Sequence, residues 1–176
     1  MKAFAVALLL ASLAISATAA GTNRIDGAFG VTLGDSFEPS DAPATTTTVD
    51  EAMYPFTPKN PHDSFNQYYV LITPVSHRVY CIWAIGPEMN VEKAKIHEEV
   101  VFKALTKKYG TGEKQGIFDG LNDAKRIDKG DRGIYVNVRG FSDGQLNLRY
   151  TDSVLEKKAK DEEIEVEAKK KDNSGL

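Results

Sequence analysis

Residues 133–151 read GIYVNVRGFSDGQLNLRYT. On each side of the central glycine-bounded segment, apolar and polar residues alternate with a period of two, the pattern of a strand with one buried face. Ile134, Val136, Val138, Leu146, Leu148 and Tyr150 fall on one side, and Tyr135, Asn137, Arg139, Asn147 and Arg149 on the other. The pattern predicts a half-buried antiparallel hairpin. Such a sheet needs a second layer on its apolar face, so the stretch also sets the class of fold.

Working outward, residues 68–86, YYVLITPVSHRVYCIWAIG, give two runs rich in aromatic and β-branched residues around Pro74–His77, a second hairpin. Both alternate sets of its second run are apolar (Val79, Cys81, Trp83, Ile85 and Tyr80, Ile82, Ala84), which places that strand in the middle of a sheet covered on both sides. Asn90 is placed to cap a helix that runs to Tyr109 and stops at Gly110. At about 100° per residue, Ala94, His97, Val101, Ala104 and Leu105 form the stripe expected to face the sheet. Ala124–Asp128 adds another strand. From Ser153 a helix opens on the capping-box pattern Ser153-Val-Leu-Glu156, with a thin stripe of Leu155, Ala159 and Val166 on a charged surface, and is expected to dock by its first turns.

The amino-terminal side has a different character. Residues 1–19 combine one cation, Lys2, an apolar run from Ala3 to about Ile15, and small residues at Ala17 and Ala19, the pattern of an export signal cleaved near Ala19. Residues 20–37 hold one short strand segment around Ala28–Leu33. Residues 38–61 carry Pro39, Pro43, Pro55, Pro58 and Pro61 and the threonines 45–48, and are expected to form an extended loop pinned by Tyr54 and Phe56. Residues 62–152 then form the core and 153–176 the charged carboxy-terminal helix and tail. The expected fold is a single α+β domain: an antiparallel sheet of about five or six strands with one helix on a face.

With one cysteine, Cys81, no intramolecular disulfide can form, and an oxidising compartment adds nothing to this fold. Cys81 has no histidine or cation beside it in sequence to lower its pKa, so an inert buried thiol is expected. The net charge of −3 and the lack of a basic stripe argue against nucleic acid. The apolar amino-terminal run is too short for a typical spanning helix, and membrane insertion is not expected.

Several short motifs resemble catalytic signatures and fail in context. Gly140-Phe-Ser142-Asp-Gly144 matches the G-x-S-x-G elbow of serine hydrolases, but an elbow is followed by a helix and its histidine lies downstream. Here a strand follows, and His62, His77 and His97 all precede Ser142. His97-Glu-Glu lacks the second histidine one turn on, where Val101 stands, so zinc is not indicated. Gly110-Thr-Gly-Glu-Lys114 leaves a helix rather than entering one, unlike a phosphate loop. The acids and amide at Asp119, Asn122, Asp123, Asp128 and Asp131 do not keep calcium-loop register, since Leu121 occupies a ligand position. No cofactor or metal is expected.

No motif identifies an activity. The reading favoured is an exported, soluble, periplasmic or extracellular protein without enzymatic activity, a binding, accessory or inhibitor-like protein whose partner is a protein or an anionic ligand. Its candidate surface is the polar hairpin face, Tyr135, Asn137, Arg139, Asn147 and Arg149, where arginine and tyrosine are the residue types that concentrate interface energy. The alternative is a small secreted hydrolase with Ser142 as nucleophile.

Overall fold

The alternation in residues 133–151 is realised as two long antiparallel strands. In the computed structural model, which describes residues 24–39, 52–111, 113–116, 123–140 and 142–173, ten strands and two helices occur. They are β1 (Gly27–Ala28), β2 (Val31–Thr32), β3 (Met53–Pro55), β4 (Gln67–Ile72), β5 (Val79–Ile85), β6 (Met89–Asn90), α1 (Val91–Tyr109), β7 (Glu113–Gly116), β8 (Asp123–Lys129), β9 (Arg132–Arg139), β10 (Asp143–Asp152) and α2 (Ser153–Asn173). The segment read as an export signal lies outside the described residues.

The sheet runs β3-β4-β5-β10-β9-β8-β7 with every neighbouring pair antiparallel, and β6 pairs with the start of β10. The five long strands β4, β5, β10, β9 and β8 form its body, and the short β3 and β7 extend its edges. The fold is a single α+β domain with α1 packed on one face and α2 following the last strand. β5 and β10, adjacent though distant in sequence, share the centre, as the two apolar faces of β5 require.

On the first face, Val70, Ile82, Ala84, Leu146, Leu148, Ile134, Val136 and Ile127 form one core with Val101, Leu105 and Tyr109 of α1. The helix begins and ends where the sequence indicated. Asn90 Oδ1 accepts from Glu92 N at 2.8 Å, and Gly110, at φ 94°, donates to Thr106 O. The buried stripe differs from the expected one: it is Ala94, Glu98, Val101, Leu105 and Tyr109, while His97 is half-buried and Ala104 exposed. A carboxylate enters the stripe because Lys125 of β8 meets it, with Lys125 Nζ 3.1 Å from Glu98 Oε2 and also paired with Glu99.

On the second face, Met53, Leu71, Tyr80, Cys81, Trp83 and Ala159 form a smaller core, with Leu155 packed against it. α2 covers β5 and the end of β10. Its cap is Asp152 rather than Ser153: Asp152 Oδ1 accepts from Leu155 N at 3.1 Å, while Ser153 donates through its N–H and its Oγ to Asp131 O. Glu162, two turns along, accepts from Val75 N (2.7 Å), Ser76 N (3.1 Å) and Ser76 Oγ (2.7 Å), clasping the β4–β5 turn.

Other local readings are revised. The segment Ala28–Leu33 is a small hairpin, β1 with β2, rather than one strand. Arg132 ties this hairpin to the sheet, donating to Ile25 O (3.0 Å), Leu33 O (3.1 Å) and Asp152 Oδ2 (3.0 Å). Within the proline-rich stretch, Met53–Pro55 joins the sheet as its edge, where a residue without an N–H is tolerated, and Tyr54 and Phe56 pack on the core. The helix-stop turn read at Gly110–Lys114 gives way at Glu113 to a strand, Glu113–Gly116, which is the opposite edge of the sheet.

Candidate functional site

The turn bearing the G-x-S-x-G match joins β9 directly to β10, and both of its glycines have structural causes. Gly140 has φ 121°, and a β-carbon there would lie 1.8 Å from Asp143 O. At Gly144 a β-carbon would lie 3.1 Å from Val91 Cα, because the start of α1 crosses the first residues of β10. Ser142 is exposed, and among the described residues no side-chain hydrogen bond joins it to a histidine. His62 Nδ1 instead accepts from Ser64 N, and His77 lies 3.2 Å from Glu38. The geometry is that of a hairpin turn, with none of the strand-to-helix strain that presents a nucleophile.

Metal ligation is no better supported. Asp119 and Asn122 lie outside the described residues, Asp128 is paired with Arg126, and among the described residues no three His, Cys, Asp or Glu side chains converge. Concave surface occurs beside α2, in a groove of about 350 Å³ floored by Tyr54, Ile72, Tyr80, Ala159 and Val166. Among the described residues, no serine, threonine or cysteine lines it.

The five residues of the polar hairpin face do come together. The register sets Gln145 opposite Arg139, Asn147 opposite Asn137 and Arg149 opposite Tyr135. The neighbouring pairings continue the rows, since Arg149 faces Trp83, Trp83 faces Tyr69 and Tyr135 faces Arg126. One row across five strands therefore reads Tyr69, Trp83, Arg149, Tyr135, Arg126. Aromatic rings and guanidinium groups adjoin along it: the Arg149 guanidinium lies 3.6 Å from the Trp83 ring centroid, and that of Arg126 lies 4.7 Å from Tyr135. Arg139 reaches the same indole at 5.5 Å.

Trp83 is the member that sequence reasoning missed. It is 4% exposed, and its Nε1 donates to Asn147 Oδ1 at 2.9 Å. Asn147, 3% exposed, donates in turn from Nδ2 to Gln145 O at 3.0 Å. The second amide of the set thus holds the indole plane rather than facing solvent. Parity along β5 puts Trp83 on this face, but only the adjacency of β5 and β10 brings it to Arg149.

The arginines divide into two kinds. Arg24, Arg126 and Arg132 are each held by an aspartate, and Arg78 donates to Gly34 O. Among the described residues no acceptor meets Arg139 or Arg149, and Arg149 Nη2 is shielded from solvent without a hydrogen bond. Partial desolvation of a guanidinium laid against the indole, and behind it the like charge of Arg149, lower the pKa of Arg139. Desolvation raises the Tyr135 phenol above its usual value, opposed by Arg126, so it is a neutral hydrogen-bonding group at neutral pH. The arrangement can accept an anion, and no group in it is poised for bond making.

Comparison with known proteins gives no match to a family model, to a curated protein or to a solved structure.

Proposed function

We propose that the protein is exported and acts without enzymatic activity, binding an anionic partner through the open part of its second sheet face. The observation that carries this reading is the pair Arg139 and Arg149: two cations on one indole, with no carboxylate or carbonyl partner among the described residues. Cations with intramolecular partners are structural, and a pair held together without one favours an external anion. Export is supported by the amino-terminal sequence, with its single Lys2, apolar run and small residues at Ala17 and Ala19.

The test is capture of partners by the exported protein from envelope and culture fractions, beside Arg139→Glu combined with Arg149→Glu. The double reversal, in a protein first shown to keep its melting temperature, should lose the partner. Unchanged recovery removes the face from the account. A fluorophosphonate probe should leave Ser142 unlabelled, and mass spectrometry of the exported form should find an amino terminus at Ala20 or Gly21.

A further inference from the structure

We infer that Arg139 and Arg149 form a clamp for carboxylate side chains, and that the occupant of this face is an acidic segment of a partner protein. This rests on the binding reading above and names the chemistry it recognises.

The clamp is organised before any ligand arrives. Trp83 is fixed by its hydrogen bond to Asn147, Asn147 is fixed to Gln145 O, and the Arg149 guanidinium carbon sits over the indole, 3.6 Å from the ring centroid. A guanidinium stacked in this way offers its N–H groups edge-on, in the plane that meets a carboxylate as a two-pronged fork. Arg149 is half-buried, with Nη2 shielded and without a hydrogen bond, so a ligand meets the remaining N–H groups of its guanidinium. Arg139, exposed and over the same ring, adds a second fork, and a negative group between the two relieves their mutual repulsion.

The surroundings favour carboxylate over phosphate. Phosphate sites characteristically draw on backbone N–H groups at helix starts or in glycine-rich concavities. Here Arg149 has ladder partners on both sides, Trp83 and Tyr135, so its backbone donor is committed, and Arg139 at the end of β9 pairs with Gln145. At Arg149 only planar side-chain donors remain. The row between the two arginines presents Ile85 and Asn137, both half-buried, and Gln145 pairs with Arg139 in the next row. Apolar surface and amides next to two guanidinium groups suit a polypeptide carrying acids among other residues.

Trp83 is the single tryptophan of the chain and lies beneath the clamp, so its emission reports occupancy directly. The purified protein is titrated with hexaglutamate peptide, inorganic phosphate and a single-stranded DNA oligonucleotide. Hexaglutamate is expected to give a saturable change in Trp83 emission that weakens in high salt, with phosphate and DNA requiring higher concentrations. Arg149→Lys keeps the charge and removes the fork, and should weaken the peptide by about tenfold or more. Arg139→Gln, at an exposed position, should do the same without altering the melting temperature. Tighter response to phosphate or DNA than to the peptide overturns the carboxylate assignment while leaving anion binding in place. An Arg149→Lys variant equal to the wild type overturns the fork. If no anion moves the emission, the clamp is overturned, and the capture experiment then separates the outcomes: a partner lost on charge reversal keeps the binding reading, and a partner retained ends it.

Discussion

Lys125 shows how one residue can couple two elements that its sequence neighbours do not predict. Its side chain is 5% exposed, between Glu98 and Glu99 of α1, with the Phe102 ring 5.7 Å away. Desolvation pushes the Glu98 carboxyl above its usual pKa, against the hydrogen bond and charge of Lys125. Removing the lysine would strand a buried carboxylate, so Lys125→Ala should cost about 3 kcal/mol in urea unfolding. Glu98→Gln should cost less, because Glu99 still faces the lysine. The sign of the Glu98 shift sets its pH effect: the stabilising contribution of its protonated form is present below the usual carboxylate pKa and is lost as pH rises. None of this was legible in the sequence. Lys125 is polar in a strand of alternating parity, and only the packing angle of α1 over β8 places an acid opposite it.

At the scale of elements, α2 is held by few contacts, and their positions decide its behaviour. Leu155 and Ala159 pack on the second core, Glu162 clasps the β4–β5 turn, and the residues beyond are mostly exposed. Leu155→Ala should therefore cost about 2 kcal/mol, whereas truncation from Lys169 onward should change the unfolding midpoint little. Burial alone would raise the Glu162 pKa, but hydrogen bonds from the Ser76 hydroxyl, Val75 N and Ser76 N, with Lys158 beside it, hold it down to about 2. A depressed carboxylate contributes stability above its unfolded pKa, and that contribution is lost as pH falls from about 4.5 toward 2. In acid titrations Glu162→Gln should show a shallower loss of stability across this window than the wild type. An identical slope would mean that the clasp is not formed in solution. The helix itself was expected from its charge pattern and its apolar stripe. The clasp was not, because its partners, Val75 and Ser76, lie 87 and 86 residues away.

For the whole molecule, periodicity carried most of the architecture. Strict alternation in β9 and β10 and the capped, glycine-stopped α1 were readable because each depends on neighbours within a few positions. Strand order was not, since it depends on which edges meet after collapse, and the candidate face inherits that gap: Trp83 reaches Asn147 across 64 residues. The centre of the sheet is packed on both sides, with Cys81 4% exposed and Trp83 beside it along the same strand face. Unfolding followed by Trp83 emission, far-ultraviolet dichroism and Cys81 reactivity should give one coincident transition, with the thiol unreactive until that transition. Early thiol labelling would separate the second core from the first.

Pro55 bears on more than the local course of β3. Phe56 N donates inward to Tyr68 O, so alternation turns the nitrogen of Pro55 away from β4, toward the outer margin of the sheet. That nitrogen carries no hydrogen. An incoming strand from another molecule would find a missing donor at that position of β3, and lateral growth into a fibril-like stack is discouraged there. The same proline thus acts as a break to strand addition at this edge of the sheet.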